Sequence, residues 1–190
     1  MSMESGGLSS KRSRNSVALG LTVLGALARL MPHPPNFTPV GGMSLFAGAR
    51  LGGWQAYAIP LLLMAATDPI LAALYGYPMF RLSTPVIYGS FLINVWIGRW
   101  LLRKTENPGR IAAAAVLCST QFFVLTNFAV WLGGTMYPVT WAGLIACYVS
   151  AIPFFGRTLG GDLFYTAVLF SLQALLARTL SRADQKMAQA

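Results

Sequence analysis

An all-α integral membrane protein of six transmembrane helices, with an extra short helix in the last outer loop, is what this sequence predicts, on three observations. Only 10% of its 190 residues are charged and 55% are hydrophobic, whereas a soluble domain carries about 25% charged residues; so few charges cannot cover a soluble surface. Mean hydropathy is +0.58, and the length suits roughly six or seven spans of about 20 residues each. The net charge of +9 sits at segment ends and in the tails, which reads as a topology signal rather than a nucleic-acid footprint.

Residues 1–15 are polar, Ser/Gly-rich and basic (Lys11, Arg12, Arg14) and read as a disordered cytoplasmic tail. The membrane domain is expected over 16–180, with 181–190 as a second cytoplasmic tail. Ser16–Leu30 is its first apolar segment. A basic start, an apolar core and Ala26-Leu27-Ala28 also fit a signal peptide; the reading adopted is a retained helix. Ala18, Thr22 and Ala26 fall at i, i+4 and i+8, a small-residue stripe that lets another helix approach closely.

The stretch RLMPHPPNFTPVGGMSLFAGAR (29–50) is unlike the rest. Pro32, Pro34, Pro35 and Pro39 forbid a helix across its first half, because each lacks an N–H and biases its predecessor toward an extended conformation. Its second half, rich in Gly41, Gly42 and Gly48, makes a short, thin second span ending at Arg50. The third span runs from Trp54 to Tyr75, with Pro60 inside it and Asp68-Pro69 toward its end. Pro78 and Pro85 break the loop GYPMFRLSTP. A fourth span covers roughly Val86–Leu102, a polar turn follows (RKTENPGR, 103–110), and a fifth covers Ile111–Leu132. Gly133-Gly134 ends it. Thr140–Ile152 is apolar but too short to cross comfortably, and Pro153, Gly156, Gly160 and Gly161 interrupt it before a final span, Asp162–Leu180.

Charge decides between six spans and seven. If 140–152 does not cross, one side holds Lys11, Arg12, Arg14, Arg50, Arg99, Arg103, Lys104, Arg110, Arg178, Arg182 and Lys186. The other keeps Arg29, Arg81 and Arg157. Positive charge favours the cytoplasm, so both termini are expected there, in a bacterial inner membrane.

Three connections then reach the outer face: 31–39, 76–85 and 134–161. Uncommon polar and aromatic residues collect near them: Arg29, His33, Asn36, Asp68, Arg81, Asn127, Trp131, Tyr137, Trp141 and Asp162. Ionisable groups in or near hydrocarbon pair with one another or line a cavity, so these ten are the candidate binding residues for a small molecule. Each has a plainer reading. Asp68 would pair with Arg29 or Arg81, Asp162 would cap the last helix, Asn127 would join helices, and the tryptophans and Tyr137 would form an interfacial belt. Asp162, Tyr165, Thr166, Leu169 and Gln173 give the last helix one polar face; Thr120, Asn127, Trp131 and Gly134 share another stripe in the fifth. Cys118 and Cys147 read as packing residues, with no metal or cofactor site legible. No nucleophile elbow, HExxH or Walker loop is present, so an enzyme is not expected.

Taken together, FTPVGGMSLFAGARLGGWQAYAIPLLLMAATDPIL and AIPFFGRTLGGDLFYTAVL resemble the substrate-binding (S) components of energy-coupling-factor vitamin transporters. The first is similar to their short glycine-rich second helix and acid-ended third helix, the second to the entry of the last helix in biotin-type members. Those commonly carry a lysine shortly after the Asp; here Leu163, Phe164 and Tyr165 follow Asp162. PHPPNFTPVGGMSLFAGA, FFVLTNFAVWLGGTMYP and GLIACYVSAIPFF also resemble an uncharacterised bacterial family of membrane transport proteins, over nearly the whole chain after residue 25. The resemblance implies a vitamin-like ligand held at the outer face. It further implies docking through Ala18, Thr22 and Ala26 on a transmembrane coupling subunit served by ATPases. The competing expectation is a non-transporting scaffold or accessory subunit.

Overall fold

The computed structural model describes residues 3–76, 80 and 83–188. Among them all regular structure is helical: α1 (Met3–Ala28), α2 (Val40–Arg50), α3 (Gln55–Tyr75), α4 (Thr84–Leu101), α5 (Pro108–Leu132) and α6 (Trp141–Ala188). Three helices are long and apolar enough to cross a membrane: α3, α5 and α6 as far as Leu180. The apolar part of α1, Asn15–Ala28, is shorter. With 11 residues, α2 is about 16 Å long, half of a hydrocarbon core of about 30 Å.

Local chemistry sets several of these ends. Asn107 accepts a hydrogen bond from the Arg110 N–H at 3.0 Å and starts α5, with Pro108 just inside, where a missing N–H costs nothing. Gly76, at φ 70°, closes α3 in the left-handed conformation open to glycine. Asn36, at φ 65°, makes the corresponding turn in the proline stretch, a conformation that asparagine tolerates.

The short helix α2 is the axis of the bundle. It touches each of the other five helices, and Val40–Ala49 are all buried. Small residues make this possible. A Cβ on Gly48 would overlap the Val95 carbonyl of α4, and one on Gly98 would overlap the Leu45 carbonyl of α2, so the two helices cross backbone to backbone. Phe46 fills the opposite side, edge-on to Phe170 of α6 at 5.2 Å. At the far end, Arg50 donates to the Leu102 and Thr105 carbonyls, each at 3.0 Å, and to Gln173 Oε1 at 2.7 Å. It thereby ties α2, the turn after α4 and the second half of α6 together. The bundle thus has a proline-rich end and an Arg50 end.

Three expectations are corrected. The region expected to be a disordered tail is helical from Met3. A helix already nucleated by the apolar segment propagates at one hydrogen bond per residue, and no proline stops it. The extra short helix is absent as a separate element, because Trp141 opens a single helix of 48 residues, about 72 Å long. Pro153 lies inside it. Gly160 and Gly161 serve close approach rather than a break: a Cβ on Gly161 would sit 3.1 Å from the Thr38 N and 3.2 Å from the Phe37 Cα. Consequently 134–161 is largely helix, not loop. From Phe123 in α5 and before Phe155 in α6, the two helices form a paired arm. Tyr148 donates to the Val124 carbonyl at 2.7 Å, and Phe123 packs on Tyr148 and Phe155.

The third correction concerns α1. Ala18 and Thr22 are fully buried and Ala26 is 3% exposed, within a helix that packs on α2, α3 and α6. The stripe does admit a close neighbour, but that neighbour is the chain's own bundle: a Cβ on Gly25 would lie 3.2 Å from Met43 of α2. A partner docking on these three residues would have to displace helices of the same chain.

Candidate binding site

The ten residues singled out from the sequence do not converge on one pocket. Arg29, His33 and Asp68 do come together at the proline-rich end. Arg29 follows the last turn of α1 and pairs with Asp68 of α3 at 2.6 Å, while the same guanidinium donates to Thr67 Oγ1 at 2.7 Å. Tyr88 of α4 donates to the other Asp68 oxygen at 2.5 Å. His33 sits over this group, its ring nitrogens 3.3 Å from the Arg29 carbonyl and 3.2 Å from that of Pro34. Asp68 therefore has the Arg29 partner that its sequence position suggested. Thr67 and Tyr88, which complete the cluster, carry no periodic signal linking them to Asp68.

Asp162 lies elsewhere and does something the sequence did not suggest. It is mid-helix in α6, 4% exposed, and caps α2 rather than its own helix. Pro39, at the N-cap of α2, provides no side-chain bond. Instead the Gly42 N–H donates to the Asp162 carboxylate, and Ser119 of α5 donates to Oδ2 at 2.6 Å. A carboxylate at a helix N-terminus satisfies orphan N–H groups and meets the positive end of the helix dipole. The absence of a Cβ at Gly41 lets it in, since a Cβ there would overlap the carboxylate.

The remaining candidates are dispersed. Asn127 donates to the Phe123 carbonyl of its own helix at 2.8 Å, and the Asn127 carbonyl accepts from Cys147 Sγ at 3.4 Å. Trp131 donates to the Pro138 and Thr140 carbonyls, both at 3.2 Å, and so fastens the α5–α6 turn. Tyr137 is half-buried, Asn36 is exposed, and Trp141 is 81% exposed. Arg81 lies outside the described residues. The polar stripe of α5 that matters is not the one through Thr120 and Asn127. Gln121 donates to Asn94 Oδ1 at 2.7 Å and to the Ser90 carbonyl at 3.0 Å, joining α5 to α4.

A cavity of about 460 Å³ opens instead at the Arg50 end, between α1, α5 and the second half of α6. Val17, Ile111, Leu163 and Phe170 give it an apolar wall; Arg50, Glu106 and Arg178 carry its charges. Arg50 is held there by the bonds described above and by the face of Phe170, with its Cζ 4.8 Å from the ring centroid. Gln173, which fixes Arg50, and Thr166 line it too. The Thr166 hydroxyl is buried and has no hydrogen-bond partner. A buried polar group without a partner is uncommon and costly; this one is closed off from solvent and faces α2, where a Cβ on Gly42 would lie 3.0 Å from it. The volume lies within the ordinary range for small-molecule sites. None of the ten candidates lines this cavity, yet two of its α6 residues were legible: Thr166 and Gln173 belong to the polar face read from the last helix.

The proline-rich end is closed over the same helix. Phe37 packs on Phe164 and Tyr165 of α6, with ring centroids 5.8 and 5.7 Å away. Among the described residues, no group of three His, Cys, Asp or Glu side chains is placed to hold a metal.

Residues 9–185 match a family described as "Family of unknown function (DUF6580)". No curated protein and no solved structure matches the chain.

Proposed function

The chain belongs to the DUF6580 family, whose function is unknown, and from its own geometry we propose that it is a membrane-embedded small-molecule binding and transport subunit. One observation carries this reading: the cavity of about 460 Å³ with an apolar wall and Arg50, Glu106 and Arg178 at its charged side. A helix scaffold gains nothing from such a space, since each void forfeits packing contacts. The short glycine-lined second helix is the feature that the S-component resemblance implies. The site differs from the one the resemblance implies. Phe37 closes the proline-rich end, and the space lies at the Arg50 end.

Sidedness follows from charge. Arg50 gathers the turn after α4 and the second half of α6 at one end, and Arg99, Arg103, Lys104, Arg110 and Arg178 belong to those segments. By the bias of positive charge this end is cytoplasmic in a bacterial inner membrane, with both termini on that side. A ligand captured outside would then be seen here in a state open toward the interior, as alternating access requires.

Thermal melting across a panel of vitamins and metabolites tests the reading. A ligand present at about a hundredfold over its Kd stabilises by about 2.7 kcal/mol, and Ala174→Trp, which fills the cavity, abolishes the shift. No shift with any compound would leave the scaffold reading. That alternative has its own support in α6, whose apolar stretch of 40 residues, about 60 Å, is twice the thickness of a hydrocarbon core. Exposed Ile145, Val149 and Ile152 on the arm would then meet a partner.

A further inference from the structure

The shape and lining of the cavity specify its ligand more closely. Its α6 lining runs from Leu163 to Leu180, 17 residues or about 25 Å of helix. About 460 Å³ drawn out over that length is a slot rather than a chamber, and it suits a chain more than a compact ring system. One end is lined by Arg50, Arg178 and Glu106. The wall between is apolar, and Thr166 stands about 18 Å along the helix from Arg178. We propose that the slot binds a single-chain amphiphile with an anionic head, the head at the Arg50–Arg178 rim and the chain along Ile111, Ala167 and Phe170. Guanidinium groups take carboxylate or phosphate heads with directed hydrogen bonds, and the ring beneath Arg50 removes one face of it from water. This inference rests on the cavity being the ligand site.

The test uses full-length protein in phosphatidylcholine nanodiscs. Diazirine-bearing dodecanoate, dodecanol and dodecylamine are photo-crosslinked and the adducts mapped by mass spectrometry. The carboxylate should label the slot at about tenfold lower concentration than the alcohol or the amine, the worth of one charge-assisted contact. Arg178→Gln should erase that advantage; Arg178 is exposed, so the variant folds. Equal labelling by all three probes, still blocked by Ala167→Trp, overturns the anionic class and leaves the slot as a binding site. Labelling that ignores Ala167→Trp overturns both. Adding phosphatidylglycerol separates the sources of the anion: competition with dodecanoate identifies a membrane lipid, and its absence a soluble amphiphile.

Discussion

The crossing of α2 and α4 makes the sharpest prediction, because one methyl group should reverse sign between two glycines of the same helix. At Gly98 a Cβ would overlap the Leu45 carbonyl and lie 3.1 Å from the Ala49 N; at Gly89 it would meet nothing within 4 Å. Both positions are inside α4, so each Gly→Ala change gains up to about 1 kcal/mol of helix propensity. At Gly89 that gain stands alone. At Gly98 the obstacle is backbone, which cannot rotate away, so the helices must part. A gap of 0.5–1 Å forfeits about a quarter to a half of each contact, and overpacking costs about 1–3 kcal/mol. In a bilayer, packing of this kind is the main force between helices. With the cost at the upper end of that range, the net result for Gly98→Ala is a loss of about 2 kcal/mol, or about 4–8 °C at the 2–4 °C per kcal/mol typical of this chain size. The protein provides its own reporter. Cys118 and Cys147 are free and buried, 1% and 2% exposed, so a thiol-reactive dye brightens only on unfolding. Gly89→Ala should melt at or above the parent temperature. If Gly98→Ala does the same, the backbone-to-backbone crossing is wrong.

Other consequences are as direct. Asp162→Ala strands the Gly42 N–H, while the Ser119 hydroxyl keeps the Ala115 carbonyl at 3.2 Å, so it should cost about 1–3 kcal/mol in the same melt; Asp162→Asn, which keeps an acceptor oxygen, should recover part of it. Arg29 and Asp68 are 17% and 23% exposed, so Arg29→Ala and Asp68→Ala should each cost about 1 kcal/mol. The double variant should cost less than the sum of the two, because both remove the ion pair, although Arg29 also loses Thr67 and Asp68 also loses Tyr88; full additivity would contradict the pairing. For topology, His33→Cys should react with a membrane-impermeant maleimide in intact cells, and Glu106→Cys only in inverted vesicles. Reaction of both from one side would refute the two-ended arrangement.

The sequence by itself determined the all-helical class and most helix boundaries. Composition forces a chain with so few charges to satisfy its backbone internally, and helices do this segment by segment. It also narrowed the partner of Asp68 to Arg29 or Arg81, since isolated charges in apolar runs must find each other, and determined the polar face of α6 at Asp162, Thr166 and Gln173, since that follows from helical period alone. Tertiary structure decided the rest. Gly160 and Gly161 look like a break in one dimension; in three they are where the backbone at Phe37 and Thr38 rests on α6. Asp162 looks like the cap of the helix it precedes, and instead caps α2, because the first turn of α2, left uncapped by Pro39, is brought against it. Ala18, Thr22 and Ala26 read equally well as an internal or an external contact face, and only the packing of α1 on α2 settles which. Arg50 stood out in the sequence only as the end of a span. The cavity beside it is a gap between α1 and α5, elements far apart in the chain, and a gap between helices leaves no periodicity in either of them.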